Sequence, residues 1–144
     1  MKLVRAMKQV ARLQGEIKDL QHRAQNCLSC DANNDFDEPL LPNLAQIEKK
    51  TDEVIDLKTR IMKANIENGM FSEILIIGEL KKRLGFLREL NVQIGLAENR
   101  YGENTQVYKS QMTKMEKIEL IQTCQNDINM KIDALDAFNA QTDV

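Results

Sequence analysis

The stretch LVRAMKQVARLQGEIKDLQHRAQNC, Leu3 to Cys27, decides how the rest of the chain is read. Its residues Leu3, Ala6, Val10, Leu13, Ile17, Leu20, Ala24 and Cys27 recur at alternating spacings of three and four. On an α-helix turning about 100° per residue, that alternation lines a single side. Sustained over nearly four heptads, it predicts a helix over about residues 2–28, about 40 Å long and packed along its length by another helix. Gly15 weakens the pattern slightly and does not break it.

Working outward, the next segment contains both prolines, Pro39 and Pro42, which a first helical turn tolerates. A second helix is therefore expected from about residue 40 to 66. Leu44, Ile47, Val54, Ile61 and Asn65 keep its register, whereas Ile55, Leu57 and Met62 lie beside that line, so its packed stripe drifts. Asn68-Gly69 marks a turn, and Ser72 is an N-cap candidate for a third helix over 72–98. On that helix Ile76, Ile77, Leu80, Leu84, Phe86, Leu87, Leu90, Ile94 and Ala97 cover about half the circumference. It is expected to be the most buried helix of the chain. Asn99 to Gln106, with Gly102 at its centre, reads as a turn. A fourth helix is expected over 112–138, with Ile118, Ile121, Gln125, Ile128, Ile132 and Leu135 as its seam and Phe138 closing it before a polar tail.

Helices joined by short loops place sequential neighbours antiparallel. The expected fold class is thus all-α, an up-down helical bundle of long antiparallel helices with coiled-coil-like seams, forming one domain over residues 1–144. Composition agrees: hydrophobic residues make up 42%, aromatic residues only 4%, and Trp is absent, so the interior is aliphatic. A net charge of −2 supplies no basic excess to neutralise phosphates, which argues against nucleic acid as a partner. The longest aliphatic run, Ile74 to Ile77, falls far short of the roughly 20 residues of a transmembrane helix. Lys and Arg are spread through the first turns, unlike a secretory signal, and three cysteines, an odd number, suit reduced thiols. The expected location is the cytoplasm.

The loop NCLSCDANNDFDEPLLP, Asn26 to Pro42, invites a metal reading. Asp31, Asn33 and Asp35 match the first, third and fifth positions of a calcium loop, but Phe36 stands where Gly is needed and Pro42 where a bidentate Glu should be. Cys27 and Cys30, with His22 and Cys124, could in principle supply four zinc ligands, yet only one closely spaced pair exists and Cys27 already continues the apolar seam. The stretch reads as a linking loop. His22 has no recognisable nucleophile near it in sequence, and no phosphate loop, G-x-S-x-G, H-E-x-x-H or Glu-x-x-His is present. No catalytic, cofactor-binding or metal-ligating residue is assigned.

Arg83 falls within the apolar arc of the third helix, between Leu90 and Ile76 in angle. Either its stem lies on the core edge with the guanidinium in solvent, or it forms an ion pair that fixes helix register or a subunit contact. Ile76, Arg83, Phe86 and Leu90 are therefore the candidate contact residues of a homo-oligomer, most simply a two-fold dimer.

The order of short features adds a resemblance: an opening Met1-Lys2-Leu3, an acidic Glu38-Pro39 loop, a helix ending near Asn65, Asn68-Gly69, Leu87-Arg88-Glu89-Leu90-Asn91, Arg100-Tyr101, and Leu135-Asp136 before Asn139. In this order the chain resembles the septicolysin-like family of small bacterial helical proteins, over nearly its whole length. It departs from the family pattern at Gly78-Glu79, Gln106-Val107-Tyr108 and Asn139-Ala140, and no functional residue is carried over. The residues lead to a non-enzymatic helical protein acting through self-association or a protein partner. The alternative, implied by the family's name, is a membrane-active, pore-forming toxin.

Overall fold

The structure, a computed structural model, describes residues 1–97 and 106–144. The turn expected around Gly102 lies outside the described residues. Among these residues the chain is all-α apart from one short hairpin: helices α1 (Leu3–Cys27), α2 (Leu40–Glu67), α3 (Met70–Glu89) and α4 (Lys114–Gln141), with strands β1 (Gly95–Ala97) and β2 (Gln106–Tyr108) between α3 and α4. They form a helical bundle in which α1 packs on α2 and α3 on α4. The chain divides into two compact units, Met1–Phe71 with Asp136–Val144, and Ser72–Leu135.

In the first unit the heptad seam of α1 becomes its core. Leu3, Ala6, Val10, Leu13, Leu20 and Ala24 are all buried. Ala6, Val10 and Leu13 join Val54 and Leu57 of α2 in one cluster, edged by Ile17, Ile61 and Val144. The seam expected on α2 is only partly right, because Leu57 and Ala64 are buried beside Val54 while Leu44 is exposed. Each step of three or four residues under- or overshoots a full turn, and on α2 the errors accumulate until the packed line crosses to Leu57. The Lys50 ammonium donates to Glu16 at 2.7 Å, which fixes the antiparallel register at mid-helix. That hydrogen bond is the main reason the Glu16 carboxyl titrates below its ordinary range, and the charges of Lys50 and Arg12 act in the same direction.

The C-terminal residues are not the polar tail that was expected. α4 continues to Gln141, and the residues after it clasp the start of α1. The Leu3 amide donates to the Thr142 carbonyl at 2.9 Å, Val144 N–H donates to the Met1 carbonyl at 2.8 Å, and Lys2 pairs with Asp143 at 2.8 Å. The first of these bonds occupies an orphan donor that the first turn of α1 leaves unsatisfied. The Lys2 hydrogen bond also draws the Asp143 carboxyl below its usual range.

In the second unit α3 packs on α4 through Leu84, Leu87, Cys124 and Ile128, with Leu80, Leu90, Ile121 and Ile132 at the margin. Lys131 donates to Glu73 at 2.6 Å near one end of the pair. At the other end the Lys117 ammonium donates to the carbonyls of Arg88, at 2.9 Å, and Leu90, at 2.6 Å. A cation from α4 thus satisfies the end of α3, where unpaired carbonyls gather partial negative charge. α4 opens with a capping box: the Glu116 amide donates to Thr113 Oγ1 at 3.1 Å, and the Thr113 amide donates to Glu116 Oε2 at 3.3 Å.

Two expectations for α3 are corrected. The helix begins at Met70, directly after Gly69 at φ +71°, and stops at Glu89 rather than at residue 98. Beyond it Leu96 pairs with Val107 in an antiparallel hairpin, with Gly95 at φ +90°. Leu90, Ile94 and Ala97 satisfy a helical spacing, but Val92, Ile94 and Leu96 also alternate with period two, and short apolar runs are ambiguous between the two. Nor is α3 the most buried helix. Only Ile77, Leu84 and Leu87 are buried on it, half as many as on α1, because one packed partner covers one stripe of a helix and no more.

Candidate interaction surface

The stripe of α3 that packs is Ile77, Leu80, Leu84 and Leu87. Turning about 150° from its centre brings up Leu75, Glu79, Lys82 and Phe86, which share a wedge of about 60°. They follow one another at steps of four, three and four, the spacing of a second seam. Leu75 is 57% exposed and Phe86 61%. Between these apolar ends Lys82 donates to Glu79 at 2.7 Å, with both side chains in solvent.

The four residues singled out from the sequence separate. Phe86 lies on this outward seam, Arg83, exposed and without an ion-pair partner among the described residues, lies between the seam and the packed stripe, and Ile76, 41% exposed, borders the packed stripe on the same side. Leu90 is half-buried at the margin of the α3·α4 core, and its carbonyl accepts from Lys117. The solvent-reaching alternative for Arg83 fits this geometry. Leu75, Glu79 and Lys82 were missed, because a seam with charged residues at its centre does not register as an apolar arc; their four-three-four spacing was the available signal.

A second apolar feature lies on the hairpin. Leu96 and Val107, paired directly across the strands, are each 72% exposed, and Ile94 is exposed as well. Cross-strand neighbours on one face stand close enough to form a single patch.

The loop between α1 and α2 is organised by its own backbone. Asp31 Oδ1 accepts from the Asn33 amide at 2.9 Å and the Asp31 carbonyl from the Asn34 amide at 2.9 Å, so this carboxylate shapes a turn. The Cys30 thiol donates to the Asn34 carbonyl, the His22 ring bonds Asn26, and Cys124 is buried with its thiol donating to the Leu80 carbonyl. Among the described residues no three His, Cys, Asp or Glu side chains are grouped to hold a metal ion. Among the same residues no helix is long and apolar enough to cross a membrane.

No protein-family model matches the chain, and neither the curated proteins nor the solved structures give a match.

Proposed function

We propose that this chain acts without catalysis, as a helical protein whose α3 presents its outward seam to another protein surface, either a second copy or a different chain. The observation that carries the reading is the exposure of Leu75 and Phe86 on a helix whose opposite stripe already has a packed partner. Large apolar side chains spaced as a seam are what helix-to-helix docking uses. The carboxyls displaced from their ordinary range, Glu16 and Asp143, each serve a lysine clamp within the fold, which is a structural task. Three free cysteines, one of them exposed, suit a reducing compartment such as the cytoplasm.

Light scattering coupled to size exclusion tests this on wild type and the double variant Leu75→Glu/Phe86→Glu. Wild type should elute as a stoichiometric assembly, and the variant as a monomer with an unchanged circular-dichroism melt. A wild-type monomer free of any stoichiometric partner would overturn the reading.

A second reading rests on the exposed Leu96–Val107 pair and on the resemblance to septicolysin-like proteins. An exposed apolar pair across two strands is a feature that a lipid surface can take up, as a membrane-active toxin would require. Dye release from anionic phospholipid vesicles by wild type, abolished in Leu96→Asp, would support it; absence of release at micromolar protein would remove it.

A further inference from the structure

We infer that the partner of the outward α3 seam is a second copy of the same helix, lying antiparallel across a two-fold axis that passes between Leu80 and Lys81. This rests on the proposed use of that seam and adds the occupant and its direction. Read along the chain the seam is apolar, acidic, basic, apolar: Leu75, Glu79, Lys82, Phe86. Reversed and laid against itself about that axis, it puts Leu75 opposite the second copy's Phe86 and Glu79 opposite the second copy's Lys82, each pair occurring twice. Every apolar end meets an apolar end, and every charge meets its opposite. A parallel pairing would instead place Glu79 against Glu79 and Lys82 against Lys82. The charge order therefore selects the direction, as opposed charges at a helix interface commonly do.

The flanks fit the same arrangement. In an antiparallel two-fold pair like flanks face each other, so Ile76 and Arg83 stand on the side where the second copy presents its own Ile76 and Arg83. Along the helix axis, Arg83 of one copy comes level with Gly78 and Glu79 of the other. Glu79 is then met by a lysine and an arginine from across the axis in place of the single Lys82 it holds within its own helix. Gly78 and Gly85 have open space where a Cβ would stand, leaving room for an approaching backbone on the other flank. Leu75 to Phe86 spans about 16 Å of helix, a short contact, so dissociation on the order of micromolar is expected.

Sedimentation equilibrium over micromolar to submillimolar concentrations tests the arrangement on the full chain, with Glu79→Lys, Lys82→Glu and the double exchange Glu79→Lys/Lys82→Glu. Each single reversal places four like charges at the centre of the seam and should weaken the dimer about tenfold or more. The double exchange restores opposite pairs in the antiparallel direction and should return the dimer to near its wild-type strength. Melts of all four proteins in dilute solution control for folding. Unchanged dimerisation in the single variants means that the dimer uses another surface. That result, or an assembly with a different chain, overturns this inference and leaves helix-face contact standing; a wild type that is monomeric and partnerless overturns both.

Discussion

The two helix pairs solve the same packing problem with different sequences. In α1·α2 most of the apolar residues of α1 form one stripe, with Val4, Met7 and Ala11 outside it, and six of the eight seam residues are buried. In α3·α4 the apolar residues of α3 are spread around the helix, and its single packed stripe buries three of them. Apolar content therefore does not measure burial. Available partner surface does, and apolar residues in excess of one stripe stay exposed on α3.

The largest effects should separate core from face. Leu13→Ala in the first pair and Ile128→Ala in the second each remove a side chain that is almost wholly buried, and each should cost about 2–5 kcal/mol in urea unfolding. Phe86→Ala, measured in dilute solution, should change stability by less than about 0.5 kcal/mol. A loss at Phe86 as large as that at Leu13 would mean that the outward face is covered within one chain, and the contrast between the pairs would collapse.

Next come the devices that end and begin helices in the second pair. Lys117→Met removes the cation from the carbonyls of Arg88 and Leu90 and should cost about 1 kcal/mol, with faster amide exchange confined to the last turn of α3. Thr113→Ala, which breaks the capping box, should cost a similar amount, about 1 kcal/mol, with fraying at the start of α4. Exchange rising uniformly along both helices would assign these residues to general packing instead.

A smaller effect distinguishes the clamp of the first pair. Glu16 is held below its ordinary range by Lys50, so its contribution is fully present above that range and is lost as the pH falls through the lowered value. Carboxyl carbon NMR should show Glu16 titrating at higher pH in Lys50→Met than in wild type. Equal titration in the two would dissolve the clamp. The smallest change is expected from Asp31→Ala in the linking loop, within about 0.5 kcal/mol by thermal melt, because its turn is exposed.

Much of the fold was legible, and unevenly so. The α1 seam could be read residue by residue because a stripe that meets one partner leaves a period in the sequence. α3 was misread at both ends and in its burial, since the arc width counts apolar residues without saying how many surfaces will meet them. The hairpin escaped because Leu90 to Ala97 satisfies two periods at once. Of the candidate contacts, Phe86 lies on the outward seam, Arg83 and Ile76 lie exposed between it and the packed stripe, and Leu90 belongs to the core margin. Glu79 and Lys82 were invisible to a search for apolar residues, although their order is what gives the proposed pairing its direction. The lysine cap on α3 joins residues far apart in sequence and leaves no local signal.

The clasp between the two ends of the chain has a consequence for the order of folding. Lys2 and Asp143 are 141 positions apart, and between them lie both helix pairs and the hairpin. A disordered loop of that length is slow to close, whereas each antiparallel pair joins neighbours in sequence. The pairs are therefore expected to form first and shorten the path between the ends, and the clasp to close last. The first unit, which is discontinuous in sequence, is completed only after the segment inserted within it has collapsed.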